Sequence, residues 1–306
     1  MSLISLIAVF LIEQIRPLDY RRVVAEPIGA WADYIESRVN AGAWRHGLLG
    51  WLLVVGLPVV LVGALYVLLY SLNPLFGWAL NVVVLYLTMG FRQFSHHYTE
   101  IQLALRLGDL DRARQLLGEW QGRSTQGLNS SDIARLSIEG ALAASHRHVF
   151  AVLLWFVLLP GPCGALLYRL SAIVRERWAL PTAEANEFSQ FPKWIFSIID
   201  WLPLRATASA FAVVGDFEDA AYCWRTQPAN WPDKEMGIVI ASGAGALGVR
   251  LGNPVVDDGE LSDRAELGLG DEADVDFMQS AVGLVWRATV LWMLLLFLLG
   301  LASLVG

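Results

Sequence analysis

Residues 137–150 read SIEGALAASHRHVF and set one carboxylate, Glu139, ahead of a His146-Arg147-His148 triplet. Carboxylates and imidazoles move protons and bind metals near neutral pH, so this stretch is the first place to look for chemistry. A second cluster is His96-His97. On a helix, adjacent side chains diverge by about 100° and i, i+2 side chains by about 200°. Neither cluster is therefore a chelating i, i+4 pair. A metal site would need both clusters to converge from separate helices. The competing reading places these half-polar rings at the headgroup level of a membrane, and no metal ligand is assigned.

Two further stretches carry candidates. IIDWLPLRATA (198–208) holds Asp200 and Arg205. At i, i+5 they suit either a buried pair bent by Pro203 or a helix end in the headgroups, and an ionisable residue in an apolar segment is a site hypothesis by default. ASGAGALGVRLGNP (241–254) contains Gly243-x-Gly245-x-x-Gly248. A dinucleotide fingerprint needs a strand before it and a βαβ context, which the flanking residues lack. Close helix packing through small residues, or a backbone anion nest beside Arg250 and Asn253, fits better. No Ser/His/Asp triad, Cys/His pair or phosphate-loop lysine is visible. The lysines are Lys193 and Lys234, and neither follows a glycine loop.

The elements that must position these residues are mostly apolar. Of 306 residues, 56% are hydrophobic and 17% charged, against about 25% charged in a soluble domain. Leu48–Leu72 lacks charge over 25 residues, enough to span ~30 Å of hydrocarbon. Asn73-Pro74 makes a turn and Leu75–Phe91 returns. Leu291–Val305 is a further span, extending back to Val282 if Arg287 faces protein or snorkels. Val149–Leu170 is interrupted by PGPCG at 160–164, whose prolines kink it or make it re-entrant. Trp194–Val214 and Ser2–Ile15 are weaker candidates. The fold class is thus an all-α polytopic membrane bundle of five or six segments, a single membrane domain over residues 1–306.

Arginine placement gives orientation. Stretches 13–47 and 92–148 carry five and seven arginines and the turn at 73–74 none, which puts the Arg-rich stretches in the cytoplasm. The 92–148 segment reads as cytoplasmic helices. GDLDRARQLLGEW begins with Asp109 as N-cap, and Ser130 or Ser131 caps the next helix. GDFEDAAYCW (215–224) echoes GDLDRARQLL, as a duplication or as two similarly capped helices. Residues 215–280 read as an acidic, partly flexible loop, with nine carboxylates and only Arg264 between Asp257 and Asp276. A net charge of −7 leaves no basic face for nucleic acid. Cys163 and Cys223 sit in no metal or disulfide spacing.

Several segments together resemble the CobD/CbiB family of cobalamin biosynthesis membrane proteins. They are EPIGAWADYIESRVNAG (26–42), ALRLGDLDRARQLLGEWQGRSTQGLNSSDIARLSIEGALA (104–143), IIDWLPLRATA and WPDKEM…GALGVRLG (231–252). The resemblance implies an inner-membrane enzyme that joins a corrinoid acid to an aminopropanol arm through an amide bond, using ATP and Mg²⁺. It also implies Arg123 and Thr125 as ligand contacts, beside Arg205, Arg250 and Asn253, and Glu139 as a surviving acid. The chain departs from the pattern elsewhere. Ser124, Ala143, Ala144 and Arg147 stand where the family has Asp, Glu, Asn and Asp, and two further acidic motifs are missing. IDWLPLRA also resembles the AmpE branch, which keeps the scaffold without the acids. Sequence therefore favours a ligand-binding or regulatory membrane protein that has lost ligase chemistry. It would act on a corrinoid, a cell-wall-derived ligand or a protein partner, with no cofactor assigned. The alternatives are a divergent ligase using Glu139, Asp109 and Asp200 with ATP and Mg²⁺, and, more weakly, a small-molecule transporter.

Overall fold

The computed structural model describes residues 2–16, 18–179, 187–257, 260–262 and 264–305. In chain order the helices of the first half are α1 (Ser2–Ile15), α2 (Glu26–Val39), α3 (Trp44–Trp51), α4 (Leu57–Leu72), α5 (Pro74–Thr88), α6 (Phe91–Arg106) and α7 (Leu110–Gln121). Then follow α8 (Ser130–Ser145), α9 (Ala151–Leu158), α10 (Cys163–Trp178), α11 (Glu187–Val214), α12 (Phe217–Thr226), α13 (Lys234–Leu247) and α14 (Val275–Val305). Four short strands, β1 (Val249–Arg250), β2 (Val255–Asp257), β3 (Glu260–Ser262) and β4 (Asp271–Glu272), lie between α13 and α14. The all-α membrane architecture is as the apolar runs require. Among the described residues, four helical stretches are long and apolar enough to cross a membrane: Trp44–Leu72, Ser130–Leu158, Glu187–Val214 and Val275–Ala302. The chain divides into two compact units, residues 1–93 with 151–203, and residues 94–150 with 204–306.

In the first unit, α3 runs into α4 through a five-residue π turn at Leu52–Gly56. The α4 sequence is apolar on every side, and Val60, Val67 and Leu72 are about two-thirds exposed. An apolar helix with such faces suits hydrocarbon rather than water. Asn73 ends α4, and its side chain accepts the Leu75 N–H at 2.9 Å to start α5. The α2, π-turn, α10 and α11 residues Ala32, Val55, Val174, Trp178 and Phe188 form a buried core.

The prolines at 160 and 162 end α9 at Leu158, and α10 starts at Cys163. A side chain at Gly164 would fall 1.8 Å from the Trp155 carbonyl oxygen, so only glycine lets α10 turn back this tightly against α9. The 149–170 segment is therefore not one helix. Its first half instead continues α8 through a π turn at His146–Phe150, giving the unbroken stretch Ser130–Leu158. Pro203, by contrast, does not break α11, which runs through it from Glu187 to Val214.

In the second unit α8 packs against α7, α13 and α14. Asn129, not Ser130 or Ser131, caps α8. Its side chain accepts the Asp132 N–H, and Asp132 returns the bond to the Asn129 N–H, a reciprocal capping box. Asp109 caps α7 through the Arg112 N–H, and Asp216 caps α12 through the Asp219 N–H. The two Gly-Asp segments thus solve the same local problem. The glycines of 241–248 permit close packing. A Cβ at Gly243 would meet the Leu142 side chain of α8 at 2.7 Å, and one at Gly245 would meet the Asp219 oxygen of α12 at 2.6 Å. Within 215–280, α12 and α13 form a helix pair, so the acidic stretch carries regular structure on both sides of its strands.

Candidate functional site

Glu139 lies on the inner face of α8, 5% exposed. One carboxylate oxygen accepts the Gly252 N–H at 2.9 Å, and the other accepts Nη1 of Arg264 at 2.8 Å. Both side chains are withdrawn from solvent, at 7% and 13% exposure. The Arg264 guanidinium also lies over the Trp231 ring, 5.0 Å from its centre. An arginine on a desolvated indole face gains ~1–2 kcal/mol from the ring quadrupole. A buried carboxylate with a guanidinium and a backbone donor is fixed in direction.

The Gly252 N–H is available because of the strand that precedes it. Val249 and Arg250 pair in parallel with Asp271 and Glu272, and Leu251 bridges Leu267. Gly248 ends α13 at φ +66°, and Gly252 and Asn253 stand at φ +84° and +69°. A Cβ at Gly252 would come 2.2 Å from the Ala265 oxygen. The segment GALGVRLG is thus a helix end, a strand and a left-handed turn, tied to α8 by Glu139. It is not a strand-first nucleotide loop.

The other candidates occupy separate places. Asp109 is exposed and acts as the α7 cap. Thr125 is buried and donates its hydroxyl to the Arg114 carbonyl at 2.9 Å, closing the turn after α7. Arg123 is half-buried in that turn. Asp200, 2% exposed, accepts the Tyr168 hydroxyl at 3.0 Å within the first unit. Arg205 is half-buried, further along α11. Nη2 of Arg250 stands 3.9 Å from Glu272.

The histidines also take separate roles. His146 is fully buried, with Nδ1 2.9 Å from the Thr207 hydroxyl, rather than standing at a membrane lip. His96 pairs with Glu100 at 3.4 Å, and His97 stacks on Trp120. Arg147 points to Asp233 at 3.9 Å, and Asp233 caps α13 through the Met236 N–H. The positive charge at position 147 is thus answered by an acid on another helix. The Cys223 thiol is fully buried on α12, and burial pushes its pKa up to about 11, away from thiolate chemistry.

Sequence reading missed Arg264 and Trp231. Arg264 is the single base in an acid-rich stretch, which was its available signal. Its partner lies 125 residues away.

The model of the family described as CobD/Cbib protein matches residues 19–285. A protein named cobalamin biosynthesis protein CobD from Stutzerimonas stutzeri is 36% identical over 272 residues, 88% of each chain. The protein of that name from Chromobacterium violaceum is 35% identical over 72% of this chain and 70% of its own. Cobalamin biosynthesis protein CbiB of Salmonella typhimurium is 26% identical over 80% and 79%. No solved structure matches. With a match spanning nearly the whole sequence, this membrane protein belongs to the CobD/CbiB family.

Proposed function

We propose that the chain serves cobalamin biosynthesis from a bacterial inner membrane. The supporting observation is its likeness, over 88% of both chains, to a relative named for that pathway. The arginine-rich stretches at 13–47 and 92–148 support a cytoplasmic placement of the α6–α8 segment.

Within that role we favour ligand binding over formation of the amide bond. Ala143 and Ala144 at the end of α8 and Arg147 in the π turn that follows supply no acid, and Glu139 is engaged by Arg264 and Gly252. The family resemblance brings ATP and Mg²⁺. Among the described residues, no three His, Cys, Asp or Glu side chains stand together as a metal site. The rival reading is an active ligase, supported by the pathway named for the relatives and by the surviving Glu139, Arg123 and Thr125.

Two arms of one experiment separate these readings. Deletion of the gene should lower intracellular cobalamin in a host that must make its own; unchanged cobalamin removes the pathway role and leaves the AmpE-like regulatory reading. Expression in a strain lacking its own arm ligase should fail to restore cobalamin. Rescue that disappears with Glu139→Ala establishes the ligase instead.

A further inference from the structure

In the first unit, aromatic rings gather where two apolar stretches begin. Trp44 opens α3, and Phe191 and Trp194 lie in the first turns of α11. The Trp44 and Phe191 rings meet edge to face, with centres 4.9 Å apart. Trp194 completes the group, 6.1 Å from Trp44 and 5.9 Å from Phe191. Glycines bring the backbones together. A Cβ at Gly47 would stand 2.5 Å from the Phe188 carbonyl oxygen, and one at Gly50 would stand 3.0 Å from the Trp178 side chain. The start of α3 therefore lies on the first turn of α11 and the last turn of α10. Phe191 is buried, whereas Trp44 and Trp194 are 38% and 51% exposed.

The surface changes character across these rings. Arg45 and Lys193 beside them are exposed, as are Asp33, Ser37 and Arg38 on the preceding α2. Further along, both helices expose aliphatic side chains: Leu49, Leu52, Leu57 and Val60 after Trp44, and Ile198 and Leu202 after Trp194. The two helices leave the rings in the same direction, because each runs opposite to α10. Trp178 at the end of α10 meets Gly50 and Phe188. Tyr168, earlier in α10, meets Phe196 and Asp200. Cys163 at its start lies beside Gly63 of α4. Arg177 reaches Asp33 of α2 at 3.3 Å, so α2 also lies at the charged end. An indole carries a broad apolar body and one polar N–H, which suits the layer between hydrocarbon and water.

We propose that Trp44, Phe191 and Trp194 anchor the first unit in the headgroup layer of one leaflet. On this reading α2, the last turn of α10 and the first turn of α11 share one side of the membrane, and α4 and α11 enter the bilayer together from that side. A lipid surface fits better than a protein partner, because the exposed rings run without interruption into the exposed aliphatic faces of the apolar stretches. The anchor is independent of the pathway role.

The test uses single cysteines in the full chain. An impermeant maleimide is applied to right-side-out and inside-out membrane vesicles, with the native chain as blank. Ser37→Cys and Glu187→Cys should be labelled in the same vesicle orientation, and Ser71→Cys, at the far end of α4, in the other. Arg38→Cys and Gln190→Cys replace the first two if either does not fold. Spin labels at Arg45→Cys and Lys193→Cys, in phosphatidylcholine vesicles, should report one shared depth at the bilayer boundary. A label at Leu53→Cys, roughly 13 Å beyond Trp44 along the helix, should collide several-fold more with oxygen than with a water-soluble nickel chelate. Labelling of Ser37→Cys and Glu187→Cys from opposite sides overturns the proposal, as does labelling of Ser71→Cys together with both. Unequal depths at positions 45 and 193 also overturn it. Exclusion of both oxygen and nickel from those two positions would show a protein partner over the rings and remove the lipid anchor.

Discussion

In the first unit Arg169, 4% exposed, directs Nε and Nη2 to one backbone oxygen, that of Thr88, at 2.8 and 2.7 Å, with its guanidinium over the Tyr20 ring. In the second unit Arg264, also on an aromatic face, gives Nη1 to a carboxylate and leaves Nε and Nη2 without acceptors among the described residues. The first arrangement satisfies the last turn of α5, whose terminal carbonyls have no partner within the helix. It is a clamp between two helices and asks for nothing from outside. The second has donors to spare beside a carboxylate that fixes a turn. Two buried arginines on aromatic rings thus do different work, and the difference lies in what their remaining nitrogens meet.

Breaking the second arrangement should have the largest effect. Glu139→Ala leaves Arg264 buried without its counter-charge and frees the Gly252 N–H, a loss of ~3–5 kcal/mol. Hydrogen exchange should rise across peptides of α8, β1 and α13, while α2, α5 and α10 keep their protection. Equal loosening of both sets would show that the pair does not belong to the second unit alone. A smaller loss is expected from Arg169→Met, which keeps the stem and removes both bonds to Thr88, at ~2–3 kcal/mol. Its exchange signature should be the mirror image, confined to α5 and α10. Protection there unchanged from the native chain would contradict the clamp. Asp109→Ala should cost only ~1 kcal/mol, the value of one helix cap, with fraying limited to the first turn of α7. Loss of ligand binding in that variant would return Asp109 to the site.

Much of the fold was legible because it depends on local chemistry. Asn73-Pro74 turns one apolar helix into the next, Asp109 and Asp216 cap α7 and α12, and the prolines at 160 and 162 end α9. Each effect acts over a few residues. The site was only half legible. Glu139 stands out as an acid in an apolar helix, but its partner Arg264 was hidden in a charge run, where composition suggests a solvated loop. The pairing depends on the strand and left-handed turn at 249–253, and sequence spacing carries no trace of that. His146 misled for a related reason. A ring beside Arg147 suggests a polar lip, yet the π turn at 146–150 rotates it inward onto Thr207.

The Ala143, Ala144 and Arg147 that stand in place of Glu, Asn and Asp gain meaning from the same comparison. Arg147 faces Asp233, so the reversed charge is accommodated rather than left exposed to repulsion. At position 147 the second unit thus carries a donor where the resemblance implies an acceptor.

The most direct test of the pathway role is the cobalamin content of a host lacking this gene, grown where it must synthesise its own. Cobalamin should fall markedly and be restored by the native gene on a plasmid. Cobalamin unchanged by the deletion would contradict it.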